Sequence, residues 1–150
     1  MMRTVLLALA LLACAAPAFA QQQVEISADL FTVAEDSREA VFTGSVVVTH
    51  PSVTVWAPKV VATYGEGGTN DIRSFEATGA VRLKTSDQEA TGERAVFTPG
   101  SQTLRLTGNV EVVNTSGRIK AGELVVNLGT GVSTFTAASG GRVTGVFTAQ

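Results

Sequence analysis

Three stretches of this chain repeat one pattern, and the pattern leaves few folds open. Phe42-Thr43-Gly44-Ser45-Val46-Val47-Val48, Ala77-Thr78-Gly79-Ala80-Val81-Arg82-Leu83 and Leu106-Thr107-Gly108-Asn109-Val110-Glu111-Val112 each read apolar-Thr-Gly-x-Val-x-apolar. A second half-unit follows each glycine. It is Ala57-Pro58-Lys59, Thr91-Gly92-Glu93 and Ala121-Gly122-Glu123, with its central residue 14, 13 and 14 positions on. Ala28-Asp29-Leu30 is a fourth half-unit that starts the array. Spacing this regular means one supersecondary unit used repeatedly.

Each unit reads as a bent β-strand. A glycine inside a strand pattern marks a bulge or sharp bend, because it adopts backbone angles that other residues resist. Around it the side chains alternate. Phe42, Val46 and Val48 share one face, and Thr43 and Val47 the other. In the later copies Val81 and Leu83, then Leu106, Val110 and Val112, take the first face. Thr78 and Arg82, then Thr107 and Glu111, take the second. A period of two with one apolar side is a half-buried strand.

Turn signals such as Asp36-Ser37, His50-Pro51-Ser52 and the glycine-rich stretch 65–70 recur every several residues. No window offers three turns of amphipathic helix. The chain is therefore expected to be all-β, with about fifteen short antiparallel strands stacked as a jelly roll, a sandwich or a solenoid. The repeats leave open whether Val60 or Val61 points inward.

The first twenty residues read differently. Arg3 supplies a short basic region, residues 4–13 are apolar but too short to span a bilayer, and Ala18-Phe19-Ala20 is a small-x-small cleavage site. Residues 1–20 are read as a secretory signal peptide and residues 21–150 as one domain. The alternative is Leu11-Leu12-Ala13-Cys14 as a box for a lipid-modified cysteine. Without Arg3, the eleven Lys and Arg become ten against thirteen Asp and Glu, a formal charge of −3. No basic block stands out, which excludes nucleic acid as an expected partner. Cys14 is the one cysteine, so cleavage after Ala20 leaves no disulfide and no thiolate metal site.

No catalytic constellation is legible. His50 is the single histidine and is expected to be a solvent-exposed turn residue. Asp29 reads as a turn-stabilising side chain, and Gly65 to Gly68 lacks the Lys-Ser/Thr and helix of a phosphate loop. No metal, cofactor or enzymatic activity is expected. The informative chemistry is the apolar face. Its first members are Val24, Ile26, Phe42, Val46 and Val48. Val53, Val55, Val81, Leu83 and Phe97 continue it. Leu104, Leu106, Val110, Val112 and Ile119 complete it. These residues either fill a core or line a cleft for acyl chains. In a cleft, each buried methylene is worth about 0.8 kcal/mol, so a long chain gains on the order of 10 kcal/mol before ordering costs.

The segments Ile26-Ser27-Ala28-Asp29, Phe42 to Val48, Ala57-Pro58-Lys59-Val60-Val61, Leu104 to Val110 and Arg142-Val143-Thr144-Gly145-Val146-Phe147 together resemble the OstA-like family. The resemblance covers residues 24–147. It implies an open, twisted β jelly roll in the periplasm whose interior carries the acyl chains of lipopolysaccharide. It also implies head-to-tail homo-oligomers that form a bridge. The bridge partners would be an inner-membrane-anchored OstA-like protein and the amino-terminal domain of the outer-membrane translocon. Pro58 stands where the family usually has Asp, and the chain stops three residues after Phe147 without the polar tail of some members. Stacking is expected through Val24–Ile26 and Val143–Phe147. Two other readings compete: a structural β-solenoid or adhesin-like stack with a filled core, and a carbohydrate-binding or hydrolytic module using Trp56 or Tyr64.

Overall fold

The computed structural model describes residues 24–148. The expected leader, Cys14 and the cleavage site lie outside the described residues. Within them the chain forms ten strands: β1 (Glu25–Ser27), β2 (Leu30–Ala34), β3 (Glu39–His50), β4 (Val53–Tyr64), β5 (Ile72–Lys84), β6 (Gln88–Thr98), β7 (Thr103–Asn114), β8 (Gly117–Asn127), β9 (Ser133–Thr136) and β10 (Thr144–Phe147). They make one antiparallel sheet in the order β1-β3-β4-β5-β6-β7-β8-β10, with β2 also on β3 and β9 also on β8. The architecture is the expected all-β, open jelly roll. The strands number ten among the described residues, rather than about fifteen, because a glycine bend does not end a strand.

The bends are bulges. Between Thr43 and Val46, Thr78 and Val81, and Thr107 and Val110, the register slips by one residue against the neighbouring strand. Gly44, Gly79 and Gly108 hold φ of +84°, +99° and +83°, where a Cβ is strained. A side chain from the adjacent strand also rests on each one. A Cβ on Gly79 would lie 2.9 Å from Pro58 Cγ, and one on Gly108 would lie 2.7 Å from Glu93 Cβ. Asp29 occupies the same place over Gly44. Pro58 therefore fills its corner as Asp29 and Glu93 fill theirs. It falls in the register gaps on both sides, where its missing N–H costs no ladder bond.

This geometry moves one half-unit. The corner residue of the half-unit that follows Gly79 is Glu93, which packs on the next repeat's Gly108, and not Gly92, so the interval from glycine to corner is 14 in all three copies. Gly92 pairs with Val81 and takes the inward place that Ala57 and Ala121 hold elsewhere. The side chain of Leu106 fills the space where a Cβ would stand.

Because antiparallel partners point the same way, the register draws inward rows across the sheet. One row is Ile26, Val48, Val55, Leu83, Ala90, Val112 and Ile119. A second is Phe31, Phe42, Val60, Ala77, Ala95, Leu106, Leu124 and Phe135. A third is Val33, Ala40, Ala62, Phe75, Phe97, Leu104 and Val126. The bulges fold the half carrying the first row against the half carrying the others, and this makes the core. Val60, 1% exposed, is the inward valine, and Val61 lies in an outward row with Glu76.

The outer face is polar and ion-paired. Arg94 meets Glu76 at 2.9 Å, Arg105 meets Glu123 at 2.8 Å and Arg118 meets Glu111 at 3.1 Å. Such exposed pairs contribute little each, and their main effect is to keep this face solvated. Turn chemistry closes the hairpins: Asn114 Oδ1 accepts the N–H groups of Ser116 and Gly117, an Asx turn that joins β7 to β8.

Candidate functional site

All fifteen residues of the expected apolar face point inward, but they do not share one environment. Val46, Val48, Val53, Val55, Val81, Leu83, Leu104, Leu106, Val110 and Val112 are buried and pack into a filled middle. The crevices left there hold only about 30 Å³ each. Val24, Ile26, Phe42, Phe97 and Ile119 are half-buried. Of this second group, Val24, Ile26, Phe42 and Phe97 line open space on the inner face.

The largest opening is a groove of about 580 Å³ at the β1–β2 side of the roll. Val24, Ile26, Phe31, Phe42, Ile72 and Phe75 form its apolar walls, with Ala40 and Ala62 at its floor. Its cause is a mismatch of side-chain size. The third row sets Ala40 and Ala62 side by side next to Phe42 and Phe75, and these small residues leave room at the floor of the groove. Phe31 stacks on Phe42 at 4.6 Å between ring centroids, and Phe75 on Phe97 at 6.2 Å. Phe31, Ile72 and Phe75 were absent from the sequence-derived face. The alternation Phe31-x-Val33 facing Phe42 and Ala40 was the signal for Phe31. Nothing local marks Ile72 or Phe75, which join the groove only because β5 curls round to it.

A second cavity of about 200 Å³ adjoins the first at Val24 and is lined also by His50, Ser52, Phe97, Pro99, Gln102 and Leu128. It corrects the reading of His50 as a solvent-exposed turn residue. His50 is the last residue of β3 and follows Val46 and Val48 onto the inner face. Its ring lies 5.7 Å from that of Phe97, tilted by 59°. Its Nδ1 accepts the Ser52 N–H at 3.0 Å. Burial holds the imidazole below its ordinary value. A turn signal predicted the turn correctly but not the direction of the side chain at its edge.

Among the described residues no polar side chain is buried, and no three His, Cys, Asp or Glu side chains gather as metal ligands. Trp56 faces outward with the Arg82 guanidinium 4.3 Å over its ring. One face of this would-be sugar platform is therefore covered. Such a site can take an apolar chain by desolvation and shape.

The family described as LptA/(LptD N-terminal domain) LPS transport protein matches residues 25–132. The chain belongs to this family. The match runs from β1 to the threshold of β9 and contains every wall residue of the larger groove except Val24. An uncharacterized protein of Rhizobium meliloti (strain 1021) is 30% identical over 129 residues, covering 81% of this chain and 69% of that protein. The fold is similar to the crystal structure of LptH, the LptA homologous periplasmic component of the lipopolysaccharide transport device of Pseudomonas aeruginosa. The TM-score is 0.73 at 17% identity, over 85% of this chain and 96% of that one. The OstA-like, LptA-like resemblance read from the repeats is thus shown, and so is the jelly roll it implied.

Proposed function

We propose that this protein is a non-enzymatic carrier in a periplasmic bridge that passes lipopolysaccharide from the inner to the outer membrane. The observation that carries the reading is the open apolar groove of about 580 Å³ between the Phe31–Phe42 edge and the Ile72–Phe75 wall. A volume of this size suits part of an acyl chain, and ten buried methylenes would gain about 8 kcal/mol before ordering costs. The groove needs no cofactor for this. The rival structural stack with a filled core has one observation in its favour, the tightly packed middle. The groove at the edge is the reason to prefer transport.

The edges of the sheet support the bridge reading. Edge strands offer unpaired N–H and C=O groups to another chain. Leu30, Phe31 and Val33 are exposed on β2, and Val146 and Phe147 on β10. By strand parity β9 and β10 of one copy meet β2 and β1 of the next in the antiparallel sense. Continuing the inward rows places Phe135 opposite the next copy's Phe31 and Gly145 opposite its Ile26. That contact is heterologous and does not close, so it propagates. The same edges would dock an inner-membrane-anchored OstA-like protein at one end and the amino-terminal domain of the outer-membrane translocon at the other. A periplasmic location after cleavage at Ala20 belongs to this reading.

Photo-crosslinking in cells tests it. A crosslinker at Ile26 or Phe31 should capture lipopolysaccharide, and one at the outward Arg82 or Glu111 much less. Leu83 and Val112 are unsuitable positions because they sit in the filled core. Equal labelling of the inner and outer sets would defeat the proposal.

A further inference from the structure

The charges of this chain are sorted along the sheet. Its head, the β1–β3 end over residues 24–50, carries Glu25, Asp29, Glu35, Asp36 and Glu39 against Arg38, a side-chain charge of −4 with His50 neutral. Its tail, the β8–β10 end over residues 117–148, carries Arg118, Lys120 and Arg142 against Glu123, a side-chain charge of +2. Between the ends the arginines are matched. Arg73 lies 3.0 Å from Asp71, Arg82 3.5 Å from Glu89 and Arg94 2.9 Å from Glu76. At the ends the surplus is left over. In the tail Arg118 is held by Glu111 and Glu123 by Arg105. Lys120 and Arg142 are exposed, and among the described residues neither they nor the five head carboxylates enter an ion pair.

We propose that this charge gradient sets the direction of self-association: the acidic β1–β2 edge accepts the basic β9–β10 edge of a second copy and rejects another edge like itself. This polarity rests on the edge-to-edge reading above and adds what decides between its outcomes. An open antiparallel edge can also pair with its own copy about a twofold axis. A head-to-head or tail-to-tail pair of that kind would be closed and would stop growth. Unpaired backbone groups and the exposed Phe31 or Phe147 serve such a pair as readily as a head-to-tail one. Charge does not. Only head to tail are the facing charges of opposite sign, and like charges set against the wrong partner give specificity. Continuing the outward rows names the groups. Lys120 pairs with Thr144, which would face the next copy's Ser27, and Arg118 pairs with Val146, which would face its Glu25. The backbones of Lys120 and Arg118 then lie two strand spacings, about 9.5 Å, from the new strand, within reach of long side chains. Ala138 rests on Gly122, so the segment 137–143 crosses at the level of the corners and carries Arg142 to the next copy's Asp29. Any other protein that adds a strand at β1–β2 must bring positive charge to it, and one that adds at β9–β10 negative charge.

Sedimentation velocity of the purified protein over a concentration series, at low and at high salt, tests the gradient. The Debye length falls from about 30 Å at about 10 mM salt to about 3 Å at about 1 M, so the attraction is screened across this range. Wild-type assemblies should grow with concentration at low salt, and their association should weaken at least about fivefold at high salt. Lys120→Glu combined with Arg142→Glu reverses the sign of the tail. This variant should associate poorly at low salt and recover at high salt, an inverted dependence that a merely structural defect would not produce. Arg142→Glu alone, in an exposed segment, neutralises the tail and should lose most of the salt dependence. Far-UV circular dichroism checks the fold of both. Direction is read separately by mixing a Ser27→Cys protein with a Thr144→Cys protein under oxidation. Mixed disulfide dimers should outnumber either like pair. Wild-type association that is equal or tighter at high salt, a reversed tail that still weakens with salt, or like pairs as frequent as mixed ones overturns the charge polarity and leaves the edges standing. Wild type that stays monomeric at every salt and concentration removes the edge-to-edge reading itself, and the polarity with it.

Discussion

Gly92→Ala isolates the packing of the second repeat. Gly92 does not hold a positive φ, so alanine fits its backbone, and Ala57 and Ala121 occupy the equivalent places. What alanine meets is Leu106. The added Cβ would stand 2.6 Å from Leu106 Cδ1 and 2.8 Å from Cγ, and Leu106 is fully buried with nowhere to retreat. Overpacking of this kind costs about 1–3 kcal/mol, and replacing glycine recovers about 0.4–1 kcal/mol from the unfolded chain. The net loss expected is about 1–2 kcal/mol. Leu106→Ala alone should cost about 2–5 kcal/mol through the lost transfer energy and the cavity. In the double mutant the new methyl enters part of that cavity and the clash disappears. Its loss should fall short of the sum of the two by at least about 1 kcal/mol. Urea unfolding followed by circular dichroism measures all three, given an unchanged slope with denaturant. Additivity within about 0.5 kcal/mol would refute the account. It would mean that alanine at 92 is costly for its backbone, as at a bulge glycine, and that Leu106 does not rest there.

Val146 bonds β8 in phase with Thr148, so the N–H that faces the open edge is that of Phe147. Phe147→Pro should weaken concentration-dependent self-association without unfolding the chain, and sedimentation velocity in which the variant stacks like wild type counts against the β10 edge. The His50 imidazole is displaced downward, so its contribution to stability is complete above the unfolded value near 6.5 and is lost as pH falls from there to the folded value. The urea midpoint of wild type should therefore drop between about pH 7.5 and pH 5.5 while that of His50→Phe holds steady. The Arg94 hydrogen bond lowers the pKa of Glu76, so Glu76→Gln should remove a stabilisation present above about pH 4.5 and absent in stronger acid, a window separable from that of His50. Amino-terminal sequencing of periplasmic protein should begin at Gln21, and a lipid-modified start at Cys14 would overturn both the cleavage site and a soluble carrier.

Local alternation is enough to assign a side to every residue of a strand, because the period of two is a property of the backbone. That is why all fifteen apolar residues chosen from Val24 to Ile119 point inward in the folded chain, and why the glycine bends were legible from three copies of one pattern. The same local logic fails by one position at Gly92, where a second glycine beside Glu93 resembled a corner. It also split bent strands in two, since a bulge and a turn look alike without the partner strand. Side is not environment. Whether an inward residue is packed or reachable depends on what the other half-sheet brings against it. Leu83 and Val112 meet a filled middle, while Phe42 meets Ala40, Ala62 and the far-off Ile72 and Phe75. His50 met Phe97 only when β6 folded over it. The sequence by itself determined the strand periodicity, the repeat and the inner face, which are set by neighbours along the chain and one unit away. Which part of that face stays open was decided only in the folded chain, because it depends on the curl that brings distant rows into contact.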